Sequence, residues 1–199
     1  MVIVVPGRPR SLEADAAILA AALDLLLERG IEATSIEQVA RRAGVTRATV
    51  YRRFADKTQL LVATVEAACG SPPAAPEIRD VEHLLTGWSY ALADPRQRRL
   101  LRRLYAATDD LPELATAYRT RFGEHRDQAR RQVFARARDR GQLPADTDPD
   151  VLLDVLTGAV WQHLGSRPDT STPADVERFL RAVLHHAGYR PEGRGDATH

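Results

Sequence analysis

RRAGVTRATVYRRFADK, residues 41–57, is the stretch that decides the fold. It sets six basic side chains, Arg41, Arg42, Arg47, Arg52, Arg53 and Lys57, against the single acid Asp56, a local charge of +5. The whole chain of 199 residues carries only +1, so everything outside this stretch sums to −4. A polyanion is therefore met locally and not through a long-range field, and the many phosphate contacts of an indiscriminate duplex binder fit poorly. Lys57 is the only lysine and arginine is abundant throughout, so the position of the arginines is more informative than their number.

Upstream, over 13–29, Ile18, Leu19, Ala22, Leu25 and Leu26 recur at helical spacing, and Gly30 follows as a helix-ending glycine. Thr34-Ser35-Ile36-Glu37 reads as a capping box, with Thr34 accepting from a backbone N–H and Glu37 reaching back. Ile36, Val39, Ala40 and Ala43 form the stripe of a short second helix, which Gly44 stops. Thr46 caps a third helix, with Val50 and Phe54 turned inward, and Asp56 caps a fourth that continues through Leu60, Leu61, Thr64 and Val65 toward Cys69. The prolines of Gly70 to Pro76 break the pattern and mark a seam.

Beyond the seam the sequence reads as helices over about 78–93, 95–107, 112–140, 149–166 and 173–187. Three of them open on proline behind a capping residue: Asp94-Pro95, Asp148-Pro149 and Thr172-Pro173. No alternating strand pattern and no internal repeat interrupts them, so the expected class is all-α. The last residues, 191–199, read as a disordered tail.

Helix, glycine-containing turn and helix, with a third helix packed behind, is the outline of a helix-turn-helix. Counting about 100° per residue from Thr46 gathers Arg47, Ala48, Tyr51 and Arg52 in one sector and sends Val50 to the core, with Thr49 and Arg53 on the margins. Such a face suits a major groove. Arg47 and Arg52 can fork onto guanine or phosphate, Ala48 permits close approach, and Tyr51 and Thr46 can donate to phosphate oxygens. Lys57 adds its charge to the N–H groups that open the fourth helix, a phosphate anchor.

The run Thr34-Ser35-Ile36-Glu37-Gln38-Val39-Ala40, then Ala43 through Phe54, then Asp56-Lys57, resembles the DNA-binding domain of TetR-family transcriptional regulators, without a gap from about Arg8 to Ala63. The resemblance implies that Thr46, Arg47, Ala48, Thr49, Tyr51, Arg52, Arg53 and Lys57 stand at base- and phosphate-contacting positions. It also places Thr34 and Ser35 at the phosphate-facing start of the second helix. Arg52 and Arg53 depart from the family, where aromatic residues or histidine are common, and which of them reads bases is left open. Arg8 and Arg10 read equally as a basic arm and as a free tail.

The resemblance further implies a helix-turn-helix domain over 1–57 with its basic arm and a larger helical effector-binding and dimerisation domain over 58–190. It implies a homodimer through helices 149–166 and 173–187 on a palindromic double-stranded DNA operator. An unknown small-molecule effector would release it, with the helix from Lys57 to Cys69 as the lever and repression as the usual outcome. Residues of the terminal helices such as Val151, Val155, Phe179 and Val183 serve a dimer interface or the domain core equally well. The expected effector contacts are Trp88, Tyr105, Tyr118, Phe122, Trp161 and His163, with His125 a further polar group; each also reads as ordinary core.

No H-E-x-x-H, G-x-S-x-G or glycine-rich phosphate loop is present, so an enzyme built on His83, His125, His163, His185 or His186 is disfavoured and no cofactor or metal is expected. Asp146, Asp148 and Asp150 fit helix capping better than calcium binding. Cys69, the single cysteine, excludes an intramolecular disulfide and reads as a redox-sensing or an inert buried thiol. No stretch approaches the roughly 18 apolar residues of a membrane span, and a cytoplasmic protein is expected.

Overall fold

The computed structural model describes residues 9–69 and 78–191, and among these every regular element is helical. In order they are α1 (Pro9–Arg29), α2 (Ile36–Arg42), α3 (Arg47–Tyr51), α4 (Lys57–Cys69), α5 (Val81–Ala93), α6 (Pro95–Ala106), α7 (Pro112–Tyr118), α8 (Glu124–Asp139), α9 (Pro149–Ser166) and α10 (Pro173–His186). The arm residue Arg8, the Gly70–Pro76 seam and the tail beyond Pro191 lie outside the described residues, as does the side chain of Arg10.

The chain divides into two compact units, Met1–Pro72 with Arg103–Phe122, and Pro73–Arg102 with Gly123–His199. The first holds α4 and α7 beside α1–α3, so it runs past residue 57, the expected end of the DNA-binding domain. Its core gathers Ile18, Ala22 and Leu25 of α1, Ile36, Val39 and Ala40 of α2, Val50 of α3 and Leu60 of α4, with Phe54 packed against them. These are the inward positions of four helical stripes; at about 0.8 kcal/mol per buried CH2, this shared burial holds the short α2 and α3, which would not persist alone.

The α2–α3 turn needs a left-handed residue. Gly44 has φ +67°, while a Cβ there would meet nothing within 4 Å, so backbone conformation and not space requires the glycine. The Val45 amide returns to the Ala40 carbonyl at 3.0 Å, closing the α2 terminus and aiming the chain into α3.

Two expectations are corrected. The capping box at Thr34 does not form: Ser35 is the N-cap of α2, accepting from the Gln38 amide at 3.2 Å. Thr34 is buried and donates to the Gly30 carbonyl at 2.7 Å, so it finishes α1 instead of opening α2. The helix expected over 112–140 is interrupted by a π-helical turn, Arg119–Gly123, between α7 and α8. Thr120 and Gly123 are weak helix formers, and an inserted π turn shifts register without erasing the apolar pattern on either side.

In the second unit the expected prolines stand at the starts of α6, α9 and α10. Asp94, Asp148 and Thr172 supply the capping side chains, and Thr172 and Asp175 complete a reciprocal capping box. The interior contains a fully buried guanidinium, Arg98 of α6. It donates to the Leu92 carbonyl at 3.1 Å, the Arg167 carbonyl at 3.1 Å and Asp169 at 3.4 Å. Arg102, one turn on, grips Asp169 through both carboxylate oxygens at 2.7 and 2.8 Å and donates to the Leu164 carbonyl at 3.1 Å. Two arginines thus tie the α9–α10 connection to α6.

Candidate nucleic-acid interface

Thr46 opens α3 in extended conformation; its hydroxyl accepts from the Thr49 amide at 3.2 Å and lies 2.9 Å from the Thr49 hydroxyl. With the cap fixed, the turns that follow distribute the side chains. Val50 is 0% exposed, whereas Arg47, Ala48, Tyr51 (48%) and Arg52 all face solvent. The basic, phenolic and small groups expected on one face therefore share it, backed by a rigid apolar anchor.

Arg53 does something else. Its Nε donates to the Asp15 carboxylate of α1 and its Nη1 to the Thr49 carbonyl at 3.0 Å, so this guanidinium is committed to the fold. The neighbouring arginines differ in surroundings: Arg52 is exposed and Arg53 is bound. Thr49, also expected at the DNA, is half-buried with its hydroxyl at the cap, and Thr34 is buried with its hydroxyl on the Gly30 carbonyl.

The remaining expected contacts lie at helix starts. Ser35 is exposed at the N-cap of α2. Lys57 is the first residue of α4, and its ammonium reaches the Glu32 carbonyl at 3.4 Å. Behind it Asp56 accepts from the Gln59 amide at 2.8 Å while the Gln59 side chain accepts from the Ala55 amide at 3.3 Å, a reciprocal cap. Periodicity missed Asp15, the Arg98–Arg102–Asp169 cluster and the role of Gln59. Only the Asp56-x-x-Gln59 spacing was a usable sequence signal, because the other partners are separated by tens of residues.

The six expected effector residues divide between the units. Tyr105 is exposed on α6 and Tyr118 half-buried on α7 in the first unit, to which Phe122 also belongs, though its side chain lies outside the described part. In the second, Trp88 lines a cavity of about 250 Å³ between α5 and α8, with the Arg130 guanidinium 4.3 Å from its ring centre. His163 lines a different cavity, of about 510 Å³, at the α9–α10 turn, and half-buried Trp161 lines neither. The first unit has its own open groove of about 910 Å³ between α4 and α7, bordered by Val62, Glu66, Glu113 and Thr116. Among the described residues no group of three acidic, histidine or cysteine side chains is placed to hold a metal, and no helix is long and apolar enough to cross a membrane.

A glycine-turned helix pair presenting an exposed cationic face, joined to a second helical unit, defines a helix-turn-helix DNA-binding protein. Comparison with known proteins agrees. The family model described as bacterial regulatory proteins, tetR family, matches residues 18–64, and that described as tetracyclin repressor-like, C-terminal domain, matches 78–183. The uncharacterized HTH-type transcriptional regulator YdeS of Bacillus subtilis is 29% identical over 162 residues, 79% of this chain and 81% of that protein. The HTH-type transcriptional regulator AqdR of Rhodococcus erythropolis is 28% identical over 163 residues, 78% of each. Among solved structures, NalD, the secondary repressor of the MexAB-OprM multidrug efflux pump in Pseudomonas aeruginosa, is 25% identical with a TM-score of 0.69, covering 92% of this chain and 100% of that one. The chain belongs to the TetR family and is a transcriptional regulator.

Proposed function

We propose that the protein acts in the cytoplasm as a homodimeric repressor that binds a palindromic operator through the exposed face of α3 and leaves it when a small-molecule effector binds. The observation that carries this reading is the shared solvent face of Arg47, Ala48, Tyr51 and Arg52 over the buried Val50. Arg47 and Arg52 read bases, Ala48 allows the helix in, and Ser35, Thr46, Tyr51 and Lys57 hold phosphates. Arg53, Thr34 and Thr49 keep that face in register.

One five-residue helix is a weak reader, and a two-fold pair would set two of them in successive major grooves about 34–36 Å apart. The dimer surface is assigned to α9 with α10. Val151 and Val155 of α9 are exposed at 58% and 52%, and continue along one stripe into Gly158 and Gly165. A Cβ at either glycine would meet nothing within 4 Å, so the packing within this chain does not require them, whereas a second helix drawn close against the stripe would. Effector binding acts by population shift, favouring a form whose reading heads are mis-spaced, with α4 from Lys57 as the lever.

The test is fluorescence anisotropy with DNA from upstream of the chain's own gene, at moderate salt and against an unrelated duplex. Preference for a palindromic segment, lost on Arg47→Ala, supports the reading. Equal, salt-fragile binding to both duplexes overturns it.

A further inference from the structure

His163 is 6% exposed, and neither nitrogen of its ring has a hydrogen-bond partner. Burial, then the positive charges of Arg98 and Arg167, hold its pKa below the ordinary value, with Asp175 acting the other way. The ring is therefore neutral near pH 7, with one N–H to donate and one lone pair to fill. Leaving such groups buried and unsatisfied is costly, and native proteins rarely do so without a function.

The surroundings say what such a ring can meet. His163 lines the cavity of about 510 Å³ at the α9–α10 turn, and the Phe179 ring stands 4.7 Å away at a 30° tilt. Pro168 and Ala182 extend this apolar wall, while Arg167 and Arg178 border the opening. The acids nearby are already engaged. Asp175 accepts from the Thr172 amide and hydroxyl and from Arg178, and Asp169 is gripped by Arg102. Two guanidiniums, Arg167 and Arg178, thus line the cavity against the one committed carboxylate of Asp175, which leaves it favourable to an anion.

We propose that this cavity binds a small aromatic carboxylate, its ring against Phe179 and His163 and its carboxylate held by Arg167 and by the N–H of His163. The chemistry combines a charge-assisted bond, an aromatic wall and a neutral donor, and neither an inorganic anion nor a neutral aromatic uses all three. On α9 the site lies off the stripe assigned to dimerisation: at about 100° per residue, His163 lies about 110° around the helix from the centre of the line through Val151, Val155 and Gly158, while Arg178, Phe179 and Ala182 come from α10. It uses no DNA-reading residue, so its test needs no operator and stands whether or not the repressor reading does.

Benzoate serves as the probe, with inorganic phosphate and benzyl alcohol as controls for charge alone and ring alone. The full chain, labelled with 15N-histidine, is followed through its imidazole resonances, with His163 assigned by His163→Gln. Benzoate is expected to move both His163 nitrogens saturably, and Arg167→Ala to weaken binding about tenfold through loss of the charged hydrogen bond. That variant retains the latch, because Arg98 contacts residue 167 through its backbone carbonyl. No His163 shift with millimolar benzoate overturns the proposal, as does an equal response to phosphate or benzyl alcohol. If the His163 signals follow protein concentration and not benzoate, a second copy of the chain fills the ring's valences, and the proposal falls.

Discussion

Arg53 of the basic run is bonded to Asp15 across 38 residues, while the adjacent Arg52 stands free of the core in solvent. Two neighbouring guanidiniums of identical chemistry therefore stand in different surroundings, one bonded into the fold and one exposed. Arg53→Ala should lower stability by about 1 kcal/mol, a charge-assisted bond discounted for the partly exposed Asp15. Arg52→Ala should leave the melting temperature unchanged and weaken operator binding instead. Thermal denaturation and anisotropy on the same two variants check the division, and a matched loss of stability in both would contradict it.

The contacting side chains should differ in kind as well. Arg47→Ala and Arg52→Ala are expected to relax base preference, each costing about 1–3 kcal/mol on the preferred site. Tyr51→Phe and Lys57→Ala should weaken all sequences alike, and Lys57→Ala should reduce the dependence of log affinity on log salt by about 1. Anisotropy across a salt series, with single-base variants of the operator, separates the two classes.

Thr34 and Ser35 show how much of this was legible in the sequence. The helices, their proline starts and the inward Val50 followed from spacing, because burial imposes the 3.6-residue period directly. Which of two adjacent hydroxyls caps α2 did not follow, since either satisfies the same orphan amides and the choice depends on how α1 ends. Angle alone puts Arg53 on the margin, because it cannot reveal a carboxylate on another helix. The π turn after Tyr118 escaped for a related reason: apolar periodicity survives on both sides of it. Ser35→Ala should cost about 1 kcal/mol as a lost N-cap, and Thr34→Val a similar amount by orphaning the Gly30 carbonyl. Equilibrium denaturation measures both, and only Ser35→Ala should add a loss of DNA affinity beyond its effect on folding.

The glycines of α9 make the dimer assignment testable without DNA. Within the chain Gly158 has space for a Cβ, so Gly158→Leu should leave the helical circular dichroism intact. Against a closely packed partner helix the same change overpacks, costing about 1–3 kcal/mol per site. Light scattering after size exclusion should show Gly158→Leu and Val155→Arg shifted toward monomer. A wild-type monomer at every concentration would remove α9 as an interface.

Asp169 accounts for the last expectation, the response to acid. Burial pushes its carboxyl up, but the hydrogen bonds and charges of Arg102 and Arg98 outweigh this and hold its pKa below the ordinary carboxylate range. A group whose folded pKa is depressed stabilises the fold above its unfolded pKa, and that contribution is lost as pH falls through the folded value. The second unit should therefore weaken as pH falls below about 5, where an unfolded aspartate begins to protonate. Asp169→Asn should remove that part of the acid dependence and cost about 2 kcal/mol at pH 7, less than for an orphaned buried charge because Arg98 keeps its bonds to the Leu92 and Arg167 carbonyls. Urea denaturation at pH 7 and pH 3 on both proteins measures the difference: the gap between them should narrow at the lower pH, and a gap that widens would mean Asp169 is not the ionised partner of this latch.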